Sequence, residues 1–227
     1  MDNSKNPSRI NDILLGPLER PALQWLAAHS PTWMTPDIYT IIGILGGVII
    51  FWGYLLSRFH PAFFWLATFG YLVNWFGDSL DGTLARYRHI ERPVYGFYVD
   101  HVSDAATQVI IFVGLGLSPH VSFNVAILTL VMYLLMSILV YVRTCTFREF
   151  KISYGKLGPT EARVLAVLLN IAMFIFGEYW WRINLGPLGN WTFSPYDVYV
   201  AAIGLLLLYF FISTTIPEVI RLGKDPQ

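Results

Sequence analysis

The sequence predicts an all-α membrane protein: six transmembrane helices preceded by an amphipathic interfacial helix. Composition gives the class, since 55% of the 227 residues are hydrophobic, only 13% are charged and mean hydropathy is +0.52, too apolar for a soluble domain of this length. Six stretches approach or exceed the length of about 20 apolar residues that a bilayer crossing needs. The basic residues then sort by side of the membrane when those six stretches are threaded through it.

The elements follow in order. Residues 10–28 mix Leu14, Leu18, Leu23, Trp25 and Leu26 with Asp12, Glu19 and Arg20, the pattern of an interfacial helix, with breaks expected near Gly16-Pro17 and Pro21. The spans are read at 37–57, 61–85, 95–117, 121–143, 159–178 and 197–218. Ser118-Pro119-His120 divides the third from the fourth, and the fifth is the shortest apolar run. With the N-terminus inside, thirteen of the fifteen Lys and Arg residues fall on the cytoplasmic side and only Arg58 and Arg182 on the other. Both termini are therefore expected in the cytoplasm. Trp180, Trp181 and Trp191 suit an aromatic belt on the far side.

The remaining composition narrows the function. A formal net charge of +0 and the lack of a basic tail argue against nucleic acid as a partner. Cys145 stands alone, which excludes an internal disulfide or a cysteine zinc cluster. The first thirty residues, with Asp2, Asp12, Glu19 and three prolines, do not resemble a cleaved signal peptide and are expected to be retained. One domain is expected over 1–227, made of an N-terminal segment (1–34) and a six-helix core (35–227). Gly43, Gly46, Gly47, Gly114 and Gly116 permit close helix packing, either within the chain or in a homodimer.

The chemistry is concentrated between Asp78 and Asp104. Asp78, Asp81, Gly82 and Ala85 stand at i, i+3, i+4 and i+7, one helical face, with Arg86 beside them at the water boundary. Gly96, Asp100 and Asp104 repeat the theme at intervals of four on the next helix. Acids gathered at a membrane boundary repel one another, and divalent cations are the simplest means of keeping them charged. The small residues leave room for a ligand to approach the backbone, and the planar guanidinium of Arg86 can grip a phosphate. The face suits a metal-bound diphosphate. Solvated helix ends, a cation-coupled transporter and a non-catalytic scaffold are the competing readings, although transport gives no reason for Gly82, Ala85 and Arg86 at these spacings.

The pattern D-x2-D-G-x2-A-R, nine residues, then G-x3-D-x3-D resembles the signature of the CDP-alcohol phosphotransferases (CDP-alcohol phosphatidyltransferases), with all eight positions present: Asp78, Asp81, Gly82, Ala85, Arg86, Gly96, Asp100 and Asp104. Thr35-Pro36, followed by Thr40 and Gly43, is similar to the family's T-P-N-x-x-T start, with Asp37 where asparagine is usual. The resemblance implies transfer of a phosphate-linked group from a CDP-activated donor, CDP-diacylglycerol or a CDP-alcohol, to a lipid or small-alcohol acceptor, with release of CMP and formation of a phospholipid. It implies two Mg2+ ions, replaceable by Mn2+, held by Asp78, Asp81 and Asp100 with Asp104 at the end of the cluster. Asp104 would serve as general base, and Gly82, Thr83, Ala85, Arg86 and Gly96 would bind the donor. Asp100-His101-x-x-Asp104 with Pro159-Thr160-Glu161 is similar to the choline and ethanolamine phosphotransferase branch, which implies His101 as a rival base oriented by Glu161. In competition with that role, Glu161 also fits a first-turn acid favoured by the helix dipole.

Overall fold

Each apolar stretch of the sequence forms one helix. The computed structural model describes residues 8–10, 14–147, 149–151, 158–184 and 190–224. Among these the helices are α1 (Gly16–Ala28), α2 (Pro36–Leu56), α3 (Phe63–Arg88), α4 (Pro93–Gly116), α5 (Phe123–Phe147), α6 (Pro159–Phe176) and α7 (Pro195–Leu222). Four short strands interrupt them: β1 (Ser8–Ile10), β2 (Glu149–Lys151), β3 (Trp181–Asn184) and β4 (Asn190–Phe193). The fold is thus helical with two minor two-stranded sheets, β1 parallel to β2 and β3 antiparallel to β4, rather than wholly α.

By length and composition, α2, α5, α6 and α7 can each cross a membrane, which marks the chain as an integral membrane protein. Two of the expected spans, α3 and α4, have 26 and 24 residues, but their facing ends carry the acids and arginines. Of the basic residues used to sort the loops, Lys5, Arg148 and Lys156 lie outside the described residues, as does the side chain of Trp191.

Local chemistry sets the helix boundaries. Thr35 caps α2 by accepting the Ile38 amide at 3.3 Å, and Pro36 takes the first helical position, where its missing N–H costs nothing. Ser194 caps α7 in the same way, while Asp197 accepts from the Ser194 amide and from both the amide and hydroxyl of Ser122. Pro21 lies inside α1 without ending it, so the break expected there does not occur. At the other end of α5, Arg143 pairs with Glu218 of α7.

Backbone proximity fixes α2 against α3. A Cβ on Gly46 would stand 2.7 Å from the Cα of Asn74, and one on Gly77 would stand 2.6 Å from the Cα of Gly43, so neither position accepts any other residue without moving a helix. Gly47 meets Thr107 of α4 and Gly114 meets Phe51, which places these glycines in packing within the chain. One core cluster, built on Ile50, Tyr54, Phe64, Ala67 and Leu115, fills the end remote from the acids. A second, with Leu23, Ala27, Met34, Tyr39, Leu80 and Leu84, seats α1 beneath the acid-bearing end of α3.

Hydrogen bonds reinforce that seat. Glu19 accepts from Trp75 Nε1 at 2.7 Å and from the Thr160 hydroxyl at 2.9 Å, joining α1 to α3 and α6. Arg88 donates to the carbonyls of Ser30, Pro31 and Met34. Helix α1 is thereby built into the bundle, next to the acid-bearing end of α3.

Candidate active site

The acids sit where α3 ends and α4 begins, and the helical spacing does what the sequence requires of it. Asp78, Asp100 and Asp104 each offer an oxygen within 4.8 Å of the others, all three half-buried. Asp81 lies one turn along α3 and lines the same small cavity as Asp78 and Asp104, together with Thr40, Gly43, Asn74, Ser103 and Thr107. Its Oδ2 accepts from the Thr40 hydroxyl at 2.8 Å and its Oδ1 from the Gly82 amide. The Thr35-Pro36-x-x-x-Thr40 start of α2 therefore reaches the site through Thr40. Asp37 turns outward and pairs with Arg92 at 2.5 Å, in the link between α3 and α4.

None of the expected donor-binding residues Gly82, Thr83, Ala85, Arg86 and Gly96 lines this cavity. Arg86 is exposed and donates to Thr83 Oγ1 at 3.3 Å. A Cβ on Gly82 would stand 3.1 Å from the Arg86 guanidinium, so the small residue gives the arginine room to lie along the helix. Gly96 has nothing within 4 Å of its Cβ position. Ala85 is half-buried on the same helix.

The two remaining candidates take different places. His101 Nδ1 is 3.2 Å from Asp100 Oδ2, and its ring stacks on Tyr141 at 4.7 Å with Phe97 against its edge. Glu161 engages backbone on both oxygens: Oε1 accepts from Leu15 N and Oε2 from Gly158 N, each at 2.9 Å. The carboxylate seen beside His101 is that of Asp100, and Glu161 caps α6 while tying it to the start of α1.

Sequence reasoning treated Arg163 as a topological charge, and the structure brings it into the site. From α6 its Nη2 donates to Asp78 Oδ2 at 2.5 Å and its Nε to Asn74 Oδ1 at 2.9 Å. The available signal was its isolation as the single basic residue of an 18-residue apolar helix, since a buried guanidinium demands a partner. One guanidinium facing four carboxylates leaves a large excess of negative charge. Hard oxygen donors in that excess fit a divalent cation such as Mg2+ or Mn2+.

Beyond Arg163 a wide apolar groove runs between α3 and α6, lined by Trp65, Phe69, Tyr71, Leu72, Trp75, Val164 and Leu168. Its volume is about 550 Å³, large enough for part of a lipid chain. Arg163 belongs to the groove wall and bonds to Asn74 and Asp78, which line the acid cavity.

A model of the CDP-alcohol phosphatidyltransferase family matches residues 33–210, which hold every acid of the cluster. The chain belongs to the CDP-alcohol phosphatidyltransferase family. It is 25% identical over 200 residues to cholinephosphotransferase 1 of Danio rerio, an alignment covering 77% of this chain and 50% of that protein; the chain spans about half the length of this curated relative. A crystal structure of Mycobacterium tuberculosis phosphatidylinositol phosphate synthase with CDP-DAG bound superimposes with a TM-score of 0.55 at 19% identity, covering 85% of this chain and 89% of that one. That likeness confirms the fold. The eight signature residues thus lie inside the matched family region, the family depends on a divalent metal, and the cation-transport reading gains no support.

Proposed function

We propose that this family member joins a phosphate-linked group from a CDP-activated donor to an alcohol, releasing CMP. The observation that carries this reading is the convergence of Asp78, Asp100 and Asp104 within 4.8 Å of one another, beside an apolar groove that can hold a lipid. The preferred version takes the phosphorylated headgroup from a soluble CDP-alcohol and delivers it to a lipid hydroxyl. The groove, the Asp100-His101-x-x-Asp104 segment and the similarity to a cholinephosphotransferase support it. Donation of phosphatidyl from CDP-diacylglycerol is the second version, favoured by the CDP-DAG held in the structurally similar protein.

Asp78, Asp81, Asp100 and Asp104 would hold two Mg2+ ions, or Mn2+ in their place. When bound, such ions neutralise the diphosphate and favour departure of CMP. Gly82, Thr83, Ala85, Arg86 and Gly96 would seat the donor, with Arg86 on a phosphate. Asp104, which lines the cavity, takes the proton of the attacking hydroxyl. The oxygen then bonds to the distal phosphorus of the donor as the bond from that phosphorus to the CMP oxygen breaks. Positioning and charge suffice for this transfer, so no covalent enzyme intermediate is needed. His101, with its Nδ1 3.2 Å from Asp100 Oδ2, is the rival base. We assign Glu161 to anchoring α1 and α6.

The positive-inside count supports six spans, α2 to α7, forming with the interfacial segment one membrane domain with both termini and the acids at the cytoplasmic face. The test is CMP release in lipid nanodiscs with Mg2+ and with chelator, offering CDP-choline, CDP-ethanolamine and CDP-diacylglycerol against lipid and small-alcohol acceptors. One donor should yield metal-dependent CMP, and Asp104→Asn should abolish release while still binding CDP. Full activity in that variant would remove Asp104 as base; silence with every donor would defeat the enzyme reading.

A further inference from the structure

Arg163 is held too firmly to be a topological charge. Asn74 donates its Nδ2 to the Gly43 carbonyl at 2.9 Å, which fixes the amide so that its oxygen faces Arg163 Nε. The guanidinium plane is thus set by Asn74 at Nε and Asp78 at Nη2, with the arginine side chain only 12% exposed. It also forms part of the groove wall, so one rigid cationic fork stands between the carboxylate cavity and the space suited to a lipid.

We infer that Arg163 is a phosphate-binding residue, kept on Asp78 until a cation takes over that carboxylate and then engaging the diphosphate of the donor. This rests on the donor reading above. The physical reason is charge: a divalent cation sharing Asp78 repels a guanidinium bonded to the same group, while an arriving diphosphate supplies oxygens that match its fork. Before the cation arrives, the ion pair spares Arg163 and Asp78 the cost of unpaired burial.

The test measures Mn2+ alone, then CDP at saturating Mn2+, by calorimetry on the full chain in nanodiscs, comparing wild type with Arg163→Gln and Arg163→Lys. Arg163→Gln should bind Mn2+ no more weakly than wild type, because a competing cation has gone, and should bind CDP about ten- to a hundredfold more weakly. Arg163→Lys keeps the charge but loses the fork, and should retain Mn2+ affinity while losing about three- to tenfold in CDP affinity. Equal loss of Mn2+ and CDP binding in Arg163→Gln would overturn the inference in favour of a residue that only orients Asp78. Unchanged CDP affinity in the variants would also overturn it, and if Arg163→Gln does not fold, Arg163→Lys alone decides. A wild type that binds Mn2+ but not CDP would overturn the donor reading itself.

Discussion

Replacing Glu161 separates an anchor from a catalytic group. The side chain is only 6% exposed and accepts one backbone amide on each oxygen, from Leu15 and from Gly158. Glu161→Gln preserves the shape and one acceptor oxygen but turns the other position into a donor facing an N–H. One charge-assisted bond is lost, worth about 1.5–3 kcal/mol, together with about 0.3–1 kcal/mol of favourable charge in the first turn of α6. The sum, about 2–4 kcal/mol, corresponds to a fall in Tm of about 4–16 °C for a chain of this size. Because the Leu15 amide begins α1, the loss should loosen that helix first. Thermal unfolding followed by tryptophan fluorescence, with limited proteolysis mapped to residues 14–28, reads both effects beside CMP release. Unchanged melting and proteolysis combined with a hundredfold loss of turnover would refute the anchoring role and return Glu161 to the acceptor hydroxyl beside His101.

Further outcomes follow from the same geometry. Asp78→Asn or Asp81→Asn should abolish most of the Mg2+-induced stabilisation, read as a rise in Tm, which for an intact site reaches about 2.7 kcal/mol at a hundredfold excess over Kd; a full metal response in both would show the ligand set to be wrong. Gly77→Ala should destabilise by at least about 1–3 kcal/mol, since its Cβ would meet the backbone of Gly43, whereas Gly96→Ala, with nothing within 4 Å, should leave Tm unchanged or slightly raised; equal melting of the two proteins would contradict this contrast. Burial pushes the His120 ring down to about 4 from the usual 6.5, and neither ring nitrogen has a hydrogen-bond partner among the described residues. The unfolded chain then takes the proton first, so the stabilisation is complete above pH 6.5 and falls as pH drops towards 4, by about 3 kcal/mol. Melting curves should show that slope in wild type and a flatter one in His120→Leu; parallel slopes would remove His120 as its source.

Most of the helical frame was legible because its signals are local. The stretches read at 37–57 and 159–178 correspond to α2 and α6, at Pro36–Leu56 and Pro159–Phe176, where a proline after a capping position marks the start. The convergence of Asp78, Asp100 and Asp104 was equally readable, since helical spacing places each residue on a face and the short link returns the second face to the first. Arg163, Asn74 and Glu19 were not readable in this way. Their roles depend on which helices become neighbours, and that is decided by contacts such as Gly46 on Asn74 between residues far apart in the chain. Pro21 misled for a related reason: α1 packs Leu23 and Ala27 into a shared core, and that burial offsets the hydrogen bond a proline removes. The strands near Trp181 carry no strong alternation and arise from pairing across a hairpin.

The close approach of α2 and α3 acts as a ruler. Gly43 opposes Gly77, Gly46 opposes Asn74, Ile50 opposes Gly70 and Gly53 opposes Ala67, an antiparallel series in which each bulky group meets a gap. Sliding one helix by a single turn, about 5.4 Å, would bring Ile50 to the place that Gly46 holds against Asn74, where there is no room for even a methyl group. Thr40 and Asp81 lie just beyond the last of these contacts, so the position of one acid relative to the neighbouring helix is set by side chains that are missing. A protein of this kind can vary its lipid-facing surface widely and still keep its charged groups in register, provided that these gaps remain empty.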